Sequence, residues 1–181
     1  MERVIVIGTS CSGKTSLARR VAEAVGSPHV ELDEIHWGPN WSQAPTDEFR
    51  AAVLERVEER RWVIDGNYTR VQDIVWPRAT DAIWLNYSFP VVFGRALKRT
   101  LRRVFLRESL FHGNRESFRN AFLSRGSILW WVVTTFRRRR RQYRVLFADD
   151  TFPELTLTEL RRPRDAERLV RALREAVTRR G

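Results

Sequence analysis

The sequence predicts an α/β protein built on a parallel sheet, and three observations carry that prediction. Apolar or β-rich runs at Val4–Ile7, His29–Leu32, Trp62–Ile64, Ala82–Leu85 and Leu155–Leu160 alternate with helical or irregular stretches, the rhythm of strand–helix–strand units. The first run leads directly into G-T-S-C-S-G-K-T, Gly8 to Thr15, a complete G-x-x-x-x-G-K-[ST] pattern. Behind it, Leu17, Ala18, Val21, Ala22 and Val25 recur at helical spacing until Gly26, so the pattern stands where a strand turns into a helix.

The uninterrupted Val4, Ile5, Val6 and Ile7 suit a strand buried on both faces. In the loop Gly8, Thr9, Ser10, Cys11, Ser12, Gly13, Lys14, Thr15 and Ser16, the glycines let successive N–H groups turn inward toward phosphate oxygens. The following helix adds the positive end of its dipole. ATP or GTP binding is the expectation; the plainer alternative is a glycine turn. Of the two lysines, Lys14 and Lys98, one stands in this loop, against thirty-one arginines, as a slim ammonium beside the β- and γ-phosphates requires.

Strand two ends E-L-D-E-I-H-W, which brings Asp33 to the carboxyl edge with Glu34, His36 and Trp37 beyond it. Asp33 could orient an acceptor hydroxyl or take its proton. Equally, this is loop chemistry with Trp37 and Trp41 packing on Pro39. A helix is predicted from about Asp47 to Glu59, with Thr46 as N-cap and Phe49, Val53 and Val57 facing inward. Strand three ends W-V-I-D-G-N-Y. Asp65 therefore reaches the edge where ligands bind in open α/β sheets and could hold Mg²⁺ opposite the Thr15 hydroxyl; the alternative is an Asx turn.

After strand four, Arg95, Arg99, Arg102 and Arg103 share one side of a helix, with Leu97, Leu101 and Val104 on the other. The arginines are either solvated or aimed at phosphoryl oxygens. The last helix is predicted from Pro163 in its first turn. Asp165 and Glu167 complement its dipole, Leu169, Leu173 and Val177 form its stripe, and Arg179 and Arg180 close it.

A chain of 181 residues buries one good core with a modest insertion. The formal net charge is +11, yet it is localised. Arg95 to Arg144 holds fifteen basic and two acidic side chains, while the remainder is slightly acidic. The five adjacent arginines Arg137 to Arg141 point in every direction around a helix, so at most one or two can face the same phosphate and most are expected to be solvated. An anionic polymer or lipid headgroups could engage them. Ile128 to Thr135 is far shorter than the ~20 residues of a membrane helix and reads as a buried helix face. The single cysteine, Cys11, allows no internal disulfide, and nothing before the first strand resembles an export signal. A cytoplasmic location is expected. Trp37, Trp41, Tyr68 and Trp76 suggest an aromatic-walled pocket for a base or planar metabolite.

These anchors, together with L-D-E-I-H-W-G-P-N-W, the R-x-x-x-R of Arg95 and Arg99, and H-G-N-R-E, resemble the adenylate-kinase-like P-loop kinases. Within them the chain resembles the bacterial group labelled DNA topology modulation proteins. The resemblance implies a three-layer P-loop NTPase fold with five parallel strands in the order 2-3-1-4-5 and a mobile basic lid at about residues 89–145. It also implies that Asp65 and Gly66 serve magnesium and acceptor binding, with Asn67 alongside. Arg95 would stack on adenine and Arg99 touch the transferred phosphate, with Arg162 and Pro163 beside the base. Two departures stand out. Strand four ends in Asn86 rather than aspartate, and Asn67 and Tyr68 replace the Phe-Pro-Arg of adenylate kinases, so AMP is not supported as acceptor.

The function expected is magnesium-dependent phosphoryl transfer from ATP to a small acceptor. Lys14 would grip phosphate, Thr15 and Asp65 would place the metal, Asp33, His36 and Trp37 would receive the acceptor, and Arg99 with Arg103 or Arg115 would close on the migrating group. The alternatives are a nucleotide-responsive DNA-binding protein and a bare ATPase switch. No recognition-helix or zinc pattern supports base reading.

Overall fold

The computed structural model describes residues 1–106, 127–148, 152 and 154–179. Five strands, β1 (Arg3–Gly8), β2 (His29–Glu31), β3 (Trp62–Asp65), β4 (Asp81–Leu85) and β5 (Thr156–Leu160), form one sheet in the order β2-β3-β1-β4-β5. Every pairing is parallel. The expected order is therefore observed, and β1 lies at the centre with its carboxyl end opening into the Gly8–Thr15 loop.

Side chains alternate across the sheet with period two, so each face builds its own core. Val4, Val6, Val63 and Ile83 pack with Leu17, Val21 and Val25 of α1 (Lys14–Val25) and Val170 of α7 (Pro163–Thr178). Ile5, Ile7, Ile64 and Trp84 face the other way, onto Phe49 and Val53 of α3 (Thr46–Val57) and Val75 of α4 (Gln72–Val75). A long helix, α6 (Ile128–Ala148), reaches both cores, placing Val132 and Phe136 in the first and Tyr143 in the second.

Several local expectations are corrected. The second strand stops at Glu31, because buried Leu32 opens a short helix, α2 (Leu32–His36); Asp33 thus projects from a helical turn rather than a strand end. Thr46 is the first residue of α3, not its cap. Pro45, extended at φ −50° and ψ 144°, precedes it, and Asp47 and Glu48 face the helix dipole. On α5 (Phe89–Leu106) the inward stripe is Val92, Ala96 and Thr100. Leu97 and Leu101 follow Ala96 and Thr100 by one residue each, which rotates them about 100° away, and both are more than one-third exposed. In α6, Val132 and Thr135 are buried, but Trp130, Trp131 and Val133 face outward.

The final helix keeps its predicted start. Pro163 is in the first turn, and the Asp165 carboxylate accepts from the Arg162 amide at 2.8 Å. Val177 is half exposed and so leaves the predicted stripe, Glu167 instead pairs with Arg20 at 2.5 Å, and Arg180 lies outside the described residues. Among the described residues, no helix is long and apolar enough to cross a membrane.

Candidate active site

The loop after β1 turns tightly enough that Gly13 sits at φ 97°, and a Cβ there would meet Arg95 Nη1 at 2.9 Å. That positive φ is the backbone that favours glycine. Cys11 adopts φ 63° within the same turn. Helix α1 begins at Lys14 without a side-chain cap, leaving its first-turn amides without helical acceptors. The hydroxyls of Thr9 and Ser12 are buried and have no hydrogen-bond partner. Buried polar atoms are rarely left so, and a phosphate oxygen is the kind of group that would satisfy them.

Lys14 Nζ folds back onto the Thr9 carbonyl at 3.3 Å. Burial pushes its pKa down, opposed by the nearby Asp33 and Asp65 carboxylates. Next to it, Thr15 donates to Asp65 Oδ2 at 2.7 Å, and its hydroxyl stands 3.4 Å from Glu31 Oε1. Asp65 itself is buried, and its Oδ1 meets His29 Nε2 at 2.9 Å. Burial, then the like charges of Asp65 and Asp33, pushes the Glu31 carboxyl up.

A cleft of about 530 Å³ opens over the loop. Ser10, Cys11, Gly13, Lys14, Thr15 and Ser16 form its floor, and Asp33, Arg95, Arg99 and Pro163 complete its walls. Arg95 donates to the Ser12 carbonyl and lays its guanidinium 4.9 Å from the centre of the Tyr87 ring. Arg99 lines the same space, and its buried Nε has no hydrogen-bond partner among the described residues. The Arg20–Glu167 ion pair, 2.5 Å long, borders the cleft between α1 and α7.

Other predicted residues lie elsewhere. Arg162 is exposed as the N-cap of α7, and Arg103, one turn beyond Arg99, does not line the cleft. Arg115 and the H-G-N-R-E anchor fall outside the described residues. His36 is buried between Trp37, Phe49 and Tyr68, with ring centroids 4.6 to 5.3 Å away, and burial depresses its pKa, followed by Arg70. Trp41 stacks edge-on to Trp37, whereas Trp76 packs with Phe147 and Phe152. The four aromatic residues expected to wall one pocket therefore divide between two places.

Gly66 and Asn67 line a separate cavity of about 250 Å³, with Tyr68 and Trp76. Asn67 donates to the Gly8 carbonyl at 2.5 Å and accepts from Tyr143 at 2.8 Å. Tyr68 donates to Asp33 Oδ1 at 2.6 Å. Asn86 ties β4 to β5, its amide bonding the Glu159 carboxylate and its N–H the Leu160 carbonyl.

Sequence reasoning missed His29 and Glu31. Their period-two spacing places both side chains on one face of β2, and Glu31 pairs in register with Asp65, so the strand pattern carried a usable signal. It also missed Arg139 and Tyr143, whose place depends on where α6 crosses the sheet.

No family model matches the chain, and no curated protein does. Solved structures do. A shikimate kinase from Bacteroides thetaiotaomicron superposes at TM-score 0.53 with 16% identity, covering 98% of this chain and 98% of its own. A gluconokinase from Sinorhizobium meliloti 1021 gives 0.51 and 19%, covering 98% and 92%. At such identities the likeness concerns architecture. The narrower resemblance to DNA topology modulation proteins rests on the sequence anchors alone. Strand order, loop position and these superpositions together establish the fold as that of the P-loop kinases.

Proposed function

We propose that the chain is a phosphotransferase moving the γ-phosphoryl group of ATP to the hydroxyl of a small acceptor. One observation carries the reading: Lys14, Thr15, Arg99 and the Asp33 carboxylate line a single cleft. The loop amides and Lys14 hold the β- and γ-phosphates, and the unpartnered Thr9 and Ser12 hydroxyls suit phosphate oxygens. Asp33, its Oδ1 held by Tyr68, orients the acceptor hydroxyl and takes its proton as the new O–P bond forms and the bond to the β-phosphate oxygen breaks. Arg99 balances charge on the equatorial oxygens. ADP and the phosphorylated acceptor leave, and the proton passes to solvent.

Thr15 and Asp65 are the donors that fit Mg²⁺, a hydroxyl and a buried carboxylate 2.7 Å apart. A magnesium ion held by Thr15 and Asp65 would neutralise phosphate charge and help orient the transferred group. Arg95, Arg162 and Pro163 remain proposed for the base, and residues 89–145 for the lid. A cytoplasmic location belongs to the same reading, since ATP is supplied there.

The test is acceptor-stimulated ADP formation across nucleosides, nucleotides, sugars and small acids. Stimulation that disappears in Lys14→Ala is expected. Phosphate release indifferent to every acceptor would instead identify an ATPase switch. A second reading, DNA binding, draws on Arg137, Arg138 and Arg141, which are exposed on α6. It predicts binding that falls steeply with salt yet persists near physiological ionic strength, readable by gel shift at two salt concentrations.

A further inference from the structure

The cavity that runs from the carboxyl end of β3 down the face carrying Ile5, Ile7 and Ile64 has the marks of a second binding site. Its floor is aliphatic, from Ile5, Ile7 and Ile64, and its walls include Tyr68, Trp76 and Tyr143. Among the described residues its lining carries one cation, Arg139, and no carboxylate; Gln72 and Gln142 add amides. It is also wired to the cleft. Tyr68 lines the cavity while donating to Asp33 of the cleft at 2.6 Å, and Asn67 lines it while holding the Gly8 carbonyl at the start of the phosphate loop at 2.5 Å.

We propose that this cavity holds the phosphoryl acceptor and that the acceptor is a small planar molecule bearing a carboxylate or phosphate group. The assignment rests on the phosphotransferase reading above. A volume of about 250 Å³ falls just below the range typical of sites for drug-sized ligands, which limits the occupant to one flat ring carrying short substituents or a single sugar. Aliphatic floor and aromatic walls reward a flat apolar body. A polyol would leave most of its hydroxyls facing Ile5, Ile7 and Ile64, and such unpaired groups are costly to bury. Arg139 supplies the fork that an anionic substituent pairs with. The acceptor's hydroxyl then points past Tyr68 toward Asp33.

Calorimetry on the full chain with four probes tests this: 4-hydroxybenzoate for a planar carboxylate, uridine monophosphate for a planar phosphate, uridine for the uncharged plane, and gluconate for an acidic polyol. One or both planar anions should bind at least tenfold more tightly than uridine and gluconate, and which of them does so identifies the anionic group. Arg139→Gln should raise the Kd of the preferred anion about tenfold or more, and that of ATP less than twofold. Gluconate or uridine binding best, no probe binding, or an unchanged Kd in Arg139→Gln would overturn the assignment. The wild-type ranking decides even if the variant fails to fold. A planar anion that binds through Arg139 but never receives phosphate from ATP would overturn the phosphotransferase reading and the acceptor role with it. In that case the anion site would still stand as measured.

Discussion

The cleft over the phosphate loop and the cavity behind Tyr68 both border the carboxyl edge of one sheet and are assembled in different ways. The cleft takes its floor from consecutive residues, Ser10 to Ser16, whose backbone does the binding. The cavity takes one wall from the Gly66–Thr69 run after β3, and the rest from scattered side chains of β1, β3, α4 and α6. A site made by a turn is a property of a few adjacent residues; a site made by converging side chains exists only once the sheet and α6 have packed. The first can therefore be written as a motif, the second only in its D-G-N-Y part.

The sharpest way to break this comparison is at the loop. Lys14→Ala should bring turnover below detection, a loss of roughly a thousandfold or more, with the circular dichroism spectrum retained. Near-normal rates would show that the cleft is not where phosphate is activated. Arg99→Ala should lower kcat by roughly 10²- to 10³-fold while changing ATP affinity much less, because the unpartnered Nε of Arg99 has most to gain when charge shifts on the transferred group. Equal losses in kcat and affinity, from steady-state rates and calorimetry, would reduce Arg99 to a ground-state contact.

Asp33 is where the two regions meet. Asp33→Asn keeps the oxygen that Tyr68 donates to but removes the proton acceptor, so kcat should fall about 10²-fold, with acceptor KM changed much less. A rise in KM alone would place Asp33 in acceptor binding and leave the proton to another group. Gly66→Ala probes the joint structurally. Gly66 sits at φ 137°, and an added Cβ would lie 2.7 Å from Leu32 Cβ. Chemical denaturation should report a loss of about 1–3 kcal/mol.

The strands show how far the sequence could be read. Val4 to Ile7 and Trp62 to Asp65 are buried on both faces of a parallel sheet, so their apolar runs were unambiguous, as was the loop between β1 and α1. Helix α5 was harder. Its inward stripe uses alanine and threonine, Ala96 and Thr100, residues that carry little apolar signal, while Leu97 and Leu101 drew the eye to the wrong face. Asp33 was placed at the right edge but on the wrong element, because nothing local distinguishes a strand ending at Leu32 from a helix starting there. Arg139 was one of five identical neighbours. Its distinction is positional: Arg139 lines the cavity, whereas Arg137, Arg138 and Arg141 are exposed.

The smallest expected effect tests whether the cavity wall and the loop are mechanically joined. Tyr143 donates to Asn67 Oδ1 at 2.8 Å, and the same Asn67 side chain holds the Gly8 carbonyl. Tyr143→Phe removes the hydroxyl and leaves the ring packing against Trp84, so stability should fall by about 1 kcal/mol at neutral pH. Burial pushes the Tyr143 pKa up to about 12. The phenol therefore stays protonated in the folded chain after it has begun to ionise in the unfolded one. Its contribution is complete below pH 10 and is lost as pH rises from about 10 toward 12. Tyr68 and Tyr87 are shifted in the same direction, so the variant should lose stability less steeply in that window rather than become flat. Urea midpoints at pH 8, 10 and 11.5 measure the slope. An identical alkaline decline in wild type and Tyr143→Phe would mean that this hydroxyl is free to ionise, and that the link from α6 through Asn67 to the phosphate loop does not hold in solution.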